Sequence, residues 1–332
     1  MSKNFGNLPT GENALLYTIS CGDLTASITN YGASLVHLLV PDRNGVTADV
    51  VLGYDSVDGY AKGGAYLGAT VGRNANRIKN ACFVLDNKTW SLQPNMGKHS
   101  LHSGPNSFHR RLWQTEQVSE NSVTFRLDSP HGDQGFPGNA VIRVTYTLEY
   151  PSSLKISYDA LCDQDTVFNM TNHSYFNLAG HDRPERAMDQ ILMMPARNYT
   201  PSDWQNIPTG QLKSVEGTPL DFRTPKPLGR DIRRLFGGYD HNFEVFCSPC
   251  AVLSDPHSGR TMSVTTDCPG LQLYTANVTR ELGKNGIRYG KHSGVCLETQ
   301  FYPDAVHHPQ WKQPFVNAGV PYHSETVYQF SW

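Results

Sequence analysis

Apolar and polar residues alternate with a period of two over much of this chain. Between 141 and 150, Ile142, Val144, Tyr146, Leu148 and Tyr150 alternate with Arg143, Thr145, Thr147 and Glu149. Pro151-Ser152-Ser153 marks a turn, and beyond it Leu154, Ile156, Tyr158 and Ala160 alternate with Lys155, Ser157 and Asp159. Two such runs around a turn predict a long β-hairpin with one buried face. The alternation returns at Val123–Leu127, Met262–Thr266, Leu271–Tyr274, Val295–Thr299 and Thr326–Phe330. Helical spacing is rare. Leu228, Ile232 and Leu235 predict one short helix, stopped by Gly237-Gly238. The Pro-, Thr- and Gly-rich stretch 195–227 reads as a long loop, with Trp204, Ile207, Leu212 and Phe222 pinning it to the body. No fixed-period repeat and no low-complexity linker divides the chain. The pattern predicts an all-β fold, a large antiparallel β-sandwich with a few short helices, formed as a single domain over residues 1–332.

Composition narrows the function. With 28 Lys+Arg against 30 Asp+Glu, the net charge is −2, without the basic patch or tail of a nucleic-acid binder. The longest apolar run, around Leu35–Val40, is interrupted by His37 and is far shorter than a membrane helix. The polar N-terminal stretch lacks the apolar segment of a secretory signal. The 7 cysteines form no dense framework, so reduced thiols and a cytoplasmic location are expected. In that setting the four Asn-x-Thr triplets, at Asn87, Asn169, Asn198 and Asn277, are chance matches.

Several chemistries lack their parts. HExxH, GxxxxGK[ST] and GxSxG do not occur. Gly63-Gly64 and Gly68-x-x-x-Gly72 do not fit a dinucleotide fingerprint. Cys247 and Cys250 form a CxxC without the second pair a structural zinc needs. His307-His308 reads as a solvated pair in a Pro-rich loop.

Five segments instead place polar residues inside apolar β context: GRNANRI (72–78), LHSG (101–104), NHSYFNL (172–178), GYDHNF (238–243) and ETQFYPD (298–304). Polar groups beside a β core point to a cleft, because burying them unpaired is unfavourable. Asp accepts hydroxyl protons, while Arg and Asn donate to sugar oxygens. Tyr175 and Tyr302 offer rings for the apolar face of a sugar. These residues predict a carbohydrate site with no metal and no cofactor. Alternation puts Val295, Leu297 and Thr299 on the core face of their strand. Cys296, Glu298 and Gln300 take the other face, which presents Glu298 to the cleft.

In the same order, GRNANRI, LHSG, GDQGFPGN (132–139), NHSYFNL, YDHNF, GLQLYTAN (270–277) and ETQFYPDA resemble the aldose 1-epimerase (galactose mutarotase) family, over roughly residues 20–330. NHSYFNL and ETQFYPDA are the most specific. The resemblance implies a galactose mutarotase-like supersandwich that interconverts the α and β anomers of free aldoses without a cofactor. It implies Glu298 as general base and His173 as general acid. Asn76, Arg77, His102, Ser174, Tyr175, Asp240 and Gln272 would hold the sugar, and the match of GRNANRI in favour of Arg77 leaves Arg73 as a structural ion-pair partner. The expected partner is a small-molecule sugar, with no nucleic acid and no membrane, for a monomer or homodimer. The chain departs from the family pattern at Ser103 and Ala276, which stand where glycine is usual, and at 318–320, where AGV replaces a frequent PGE. Three competing readings are a hexose-6-phosphate epimerase, a non-catalytic sugar-binding protein on the same scaffold, and a glycosidase using Asp240 and Glu298. The first would want more cleft cations than Arg73 and Arg77. The second would have lost the acid or the base. The third requires carboxylates at a defined separation.

Overall fold

The hairpin forms where the alternation places it. In the computed structural model, which describes residues 2–332, strands Ala140–Glu149 and Ser153–Cys162 pair antiparallel without a bulge. Ile142, Val144, Tyr146 and Leu148 are buried on one face, together with Leu154, Ile156 and Tyr158. Tyr150 falls in the turn instead and is 86% exposed. This hairpin supplies the third and fourth strands of a nine-stranded antiparallel sheet, with Ser122–Ser129 on one side and Tyr322–Ser331, the central strand, on the other.

Two five-stranded antiparallel sheets face it. One is built in sequence order from the first strands, Ser2–Asn7 to Thr47–Asp49. The other runs Lys213–Ser214, Asn198–Thr200, Asp240–Glu244, Gly270–Tyr274, Cys296–Gln300. A shared apolar core joins all three, with Ile28 and Leu38 from the first, Val144 and Tyr328 from the nine-stranded sheet, and Leu271 and Leu297 from the last. Each fully buried aliphatic side chain of this kind stabilises the fold by about 1.5–3 kcal/mol. The result is the predicted all-β sandwich, in which the sheets lie face to face.

Helix is sparse, as expected, but sits elsewhere. The predicted helix over 228–235 is two 3₁₀ turns, Leu228–Arg230 and Ile232–Arg234, interrupted at Asp231. Asp231 receives Lys226 Nζ at 2.7 Å together with Arg230 and Arg234, which ties the chain sideways rather than along a helix axis. Leu228 and Ile232 are buried, so the apolar spacing did mark a packed face. Among the described residues the α-helix is Val57–Lys62, a segment without a helical signature beyond the Asp58–Lys62 pair. The stretch predicted as one long loop instead contains three short strands, Asn198–Thr200, Lys213–Ser214 and Lys226–Pro227; within it Ile207 and Phe222 are buried as expected, whereas Trp204 and Leu212 are exposed. No described helix is long and apolar enough to cross a membrane.

Candidate active site

The last five-stranded sheet has two unlike faces, and the register explains why. Asn242 pairs with Gln272, and Gln272 with Glu298; Asp240 pairs with Tyr274, and Tyr274 with Cys296. Because alternate residues share a face, these six side chains form two rows on one side. The other side carries Phe243, Leu271, Leu273 and Leu297 into the core. The face assignment predicted for Cys296–Gln300 is therefore correct. The polar face is nevertheless covered as well, since every residue of this strand is buried. Glu298 lies under other elements rather than on an open wall.

Strand Thr171–His173, paired with Ala69–Val71, lays His173 against this polar face. His173 Nε2 stands 3.7 Å from Glu298 Oε1. Nδ1 on the opposite side of the ring is 3.5 Å from the Cys296 sulfur. Two tyrosines sandwich the imidazole, Tyr66 at 5.7 Å and Tyr175 at 5.0 Å between ring centroids, with interplanar angles of 20° and 28°. Tyr274 meets it edge-on. The ring plane is thereby held from both sides.

A second cluster adjoins. His102 and Asn76 exchange backbone-anchored bonds: His102 N–H donates to Asn76 O, and Asn76 N–H donates to His102 Nδ1 at 3.1 Å. That acceptor role leaves the proton of a neutral His102 ring on Nε2. Arg77 donates to Asn76 Oδ1 and to Asp240 Oδ2, the latter at 3.3 Å. Gln272 Nε2 donates to Asp240 Oδ1 at 2.5 Å. Asn76, Arg77, Asp240 and Gln272 therefore form one chain of hydrogen bonds, and His102 joins it through Asn76 and meets His173 edge-on at 5.4 Å.

Burial sets the electrostatics. It pushes the Glu298 carboxyl well above the usual carboxylate range, with Asp240 adding to the rise and Arg77 opposing it. It pushes His173 down to about 4, with Asp240 acting against the fall. Burial also holds His102 well below its ordinary value, helped by His173 and Arg77. Both charged forms are thus disfavoured by loss of water. Glu298 Oε2 and Gln272 Oε1, neighbours in register, are buried without a partner. Buried polar atoms are nearly always hydrogen-bonded, so these two oxygens stand as acceptors open to a polar ligand.

The structure thus brings together eight of the nine predicted site residues: His173, Glu298, Asn76, Arg77, His102, Asp240, Gln272 and, beneath the imidazole, Tyr175. Ser174 turns its hydroxyl onto Asn172 Oδ1 at 2.5 Å. Tyr175 and Tyr302 are both buried, Tyr175 stacked on His173 and Tyr302 packed on Trp311, so neither ring is free as a sugar platform. Half-buried Tyr66 and Tyr274 take up the aromatic positions at the cleft and were missed from sequence, as was the contact of Cys296. Cys296 was already on the correct face by alternation. Tyr66 carried no local signal, since its neighbours read only as a failed glycine motif. Arg73 is buried and structural as expected, but not through an ion pair. Its guanidinium donates to Ser129, Pro137, Gly138 and Thr166.

With this geometry in hand, comparison with known proteins is informative. A family model described as aldose 1-epimerase matches residues 15–329. A galactose mutarotase from Bos taurus is 41% identical over 335 aligned residues, covering 98% of this chain and 97% of the relative. An aldose 1-epimerase from Haemophilus influenzae is 39% identical, covering 98% of each chain. Among solved structures, a GalM/aldose epimerase homologue from C. elegans superposes with a TM-score of 0.90 at 35% identity, covering 95% of this chain and 98% of its own.

Proposed function

The chain belongs to the aldose 1-epimerase family, and on that premise we propose that Glu298 and His173 are the base and acid of its reaction. The enzyme is an isomerase that interconverts the α and β anomers of aldoses. The observation that carries the assignment of the two residues is their facing pair, 3.7 Å apart, with the second Glu298 oxygen buried and unpartnered.

The chemistry needs such a pair. Opening the cyclic hemiacetal removes the proton of the C1 hydroxyl and adds a proton to the ring oxygen, breaking the C1–O5 bond. Glu298 takes the first proton and His173 supplies the second, so carboxylate and imidazolium become carboxylic acid and imidazole. After rotation about C1–C2, closure on the other face runs the two transfers in reverse. The pair holds one proton throughout, and no external acid or base is required. Burial favours the uncharged pair. The charged pair needed for opening therefore draws on the hydroxyls that the sugar brings to the vacant acceptors.

Asn76, Arg77, His102, Asp240 and Gln272 hold the remaining hydroxyls in this reading, while Tyr175 supports His173 and Ser174 orders the turn beside it. We assign free aldohexoses, galactose and glucose, as substrates. The Arg77 guanidinium is paired with Asp240, which leaves it poorly placed to receive a phosphate dianion. One domain, acting as a monomer or homodimer in the cytoplasm, completes the proposal, and the described cysteines are all free thiols, as a reducing compartment favours.

Polarimetry on freshly dissolved α-D-galactose and α-D-glucose tests it. Glu298→Gln and His173→Asn are each expected to reduce turnover by about 10²–10⁴ while leaving sugar binding in place. A variant that matches the parent rate would remove that residue from the mechanism.

A further inference from the structure

We propose that Asp304 is a positioning residue of the reaction: its backbone N–H and its carboxylate clamp the segment Arg77–Lys79 and set the base from which Arg77 reaches the sugar. The inference rests on the sugar-holding role of Arg77 proposed above. Strand Arg77–Ile78 is only two residues long. One edge pairs with Ser100–Leu101, the segment that leads into His102. That pairing completes a two-stranded sheet, so the opposite edge takes its bonds from elsewhere. Asp304 supplies them. Its N–H donates to Arg77 O at 2.9 Å, and its Oδ1 accepts Lys79 N–H at 2.8 Å. The two bonds act as a residue of a neighbouring strand would, with a side-chain oxygen in place of a carbonyl.

Few residue types can fill this place. Asp304 has a φ of +60°, in the left-handed region that Asn and Asp tolerate better than other side chains. The acceptor must also be short enough to turn back beside its own N–H. The carboxylate is itself held: its side chain is fully buried, Oδ1 also receives His307 Nδ1 at 2.7 Å, and Oδ2 lies 3.7 Å from His308 Nε2. From this fixed base the Arg77 guanidinium reaches Asn76 Oδ1 at 3.2 Å and Asp240 Oδ2 at 3.3 Å, and Asp240 in turn takes Gln272. A displaced backbone at 77–79 moves the guanidinium off both acceptors without touching Glu298 or His173. The loss falls on ground state and transition state alike, which is read in KM rather than kcat. One end of ETQFYPD thus carries the proposed base, and the other holds GRNANRI in place.

The test is kinetic, on the full chain. Asp304→Gly removes the carboxylate, keeps the N–H and suits the positive φ. It is expected to raise KM for α-D-galactose about tenfold, with kcat within about twofold. Asp304→Asn keeps an acceptor oxygen at the same place and should bring KM back to within about twofold of the parent. In an Arg77→Met background, Asp304→Gly should add no further rise in KM, because the residue acts through Arg77. A glycine variant with the parent KM overturns the proposal, as does an asparagine variant no better than glycine, or a further rise in the Arg77→Met background. Asp304→Ala makes the same deletion should the glycine variant fail to fold. If Arg77→Met alone leaves KM unchanged, the anchoring role of Arg77 falls instead. The ¹⁵N resonance of Arg77 Nε then still decides the clamp: a shift in Asp304→Gly supports it, and an unmoved resonance overturns it.

Discussion

Ser103 adopts a φ of +69°, next to His102 at +50°, in a region that L side chains visit at a cost of about 1–2 kcal/mol. Glycine is usual at this position in the family pattern, and the conformation explains why. The serine has a compensation that glycine lacks. Its hydroxyl accepts Asn74 N–H at 2.7 Å and donates to Asn74 O at 3.0 Å, closing LHSG onto GRNANRI in the buried interior. Ser103→Ala retains the strained φ and orphans both Asn74 groups. It is expected to lower stability by about 1–3 kcal/mol, read as a lower urea midpoint; an unchanged midpoint would mean the bridge contributes nothing. Ala276, the other departure from glycine, also has positive φ, 51°, but it is fully buried and its methyl packs in an apolar cluster. His102 bears on a different question. The donor atoms of His102, His173 and Glu298 lie within 4.8 Å of one another, the kind of set that binds zinc. The backbone N–H of Asn76 occupies the His102 Nδ1 lone pair, however, so a neutral ring presents Nε2–H rather than a free pair to the cluster. Exhaustive dialysis against EDTA is therefore expected to leave kcat unchanged, and a loss restored by added zinc would contradict the donor assignment.

At the level of elements, a period of two was enough to read much of the fold and one wall of the site. It located the Ala140–Glu149 and Ser153–Cys162 hairpin and turned Glu298 away from Leu297. Alternation reports only which residues share a face, not what lies over that face. Hence the sequence did not reveal that Cys296–Gln300 is covered on both sides, or that Tyr66 closes over His173 from a distant segment. Residue roles were legible mainly through motif resemblance, since hydrogen bonds between distant segments leave no local periodicity. Arg73 shows the same limit. The GRNANRI match favours Arg77 as the ligand and leaves Arg73 as an ion-pair partner, yet the donors of Arg73 are taken by Ser129 Oγ and O, by the Pro137 and Gly138 carbonyls and by Thr166. This fork holds the turns around 129–138 against the segment that carries Asn76 and Arg77. A lysine keeps the charge but not the planar array of donors. Arg73→Lys is expected to destabilise the protein by roughly 3 kcal/mol through carbonyls left unpaired, measured by urea denaturation, and a parent-like midpoint would show that the array is dispensable.

The molecule as a whole pays for a dry acid–base pair, and its stability should carry the signature in pH. Folding buries Glu298 and His173 together, and each is displaced from its unfolded value in the direction that disfavours charge. For Glu298 the folded value is raised above 4.5. Its contribution is complete below the unfolded value and is lost as pH rises through the folded one. For His173 the folded value falls from 6.5 to about 4. Its contribution is complete above 6.5 and is lost as pH falls toward 4. Each unit of displacement corresponds to about 1.4 kcal/mol of differential stability. Other groups titrate over the same range, so the difference between a variant and the parent isolates each term. Glu298→Gln cannot ionise, and its stability relative to the parent is expected to increase as pH rises above 5. His173→Asn cannot take up a proton, and its relative stability should increase in the opposite direction, from pH 7 down to pH 5. Urea midpoints across this range measure both slopes. A flat difference for Glu298→Gln would mean that the carboxyl titrates as a solvated group, and the cleft would then be wet rather than sealed by the sheets that surround it.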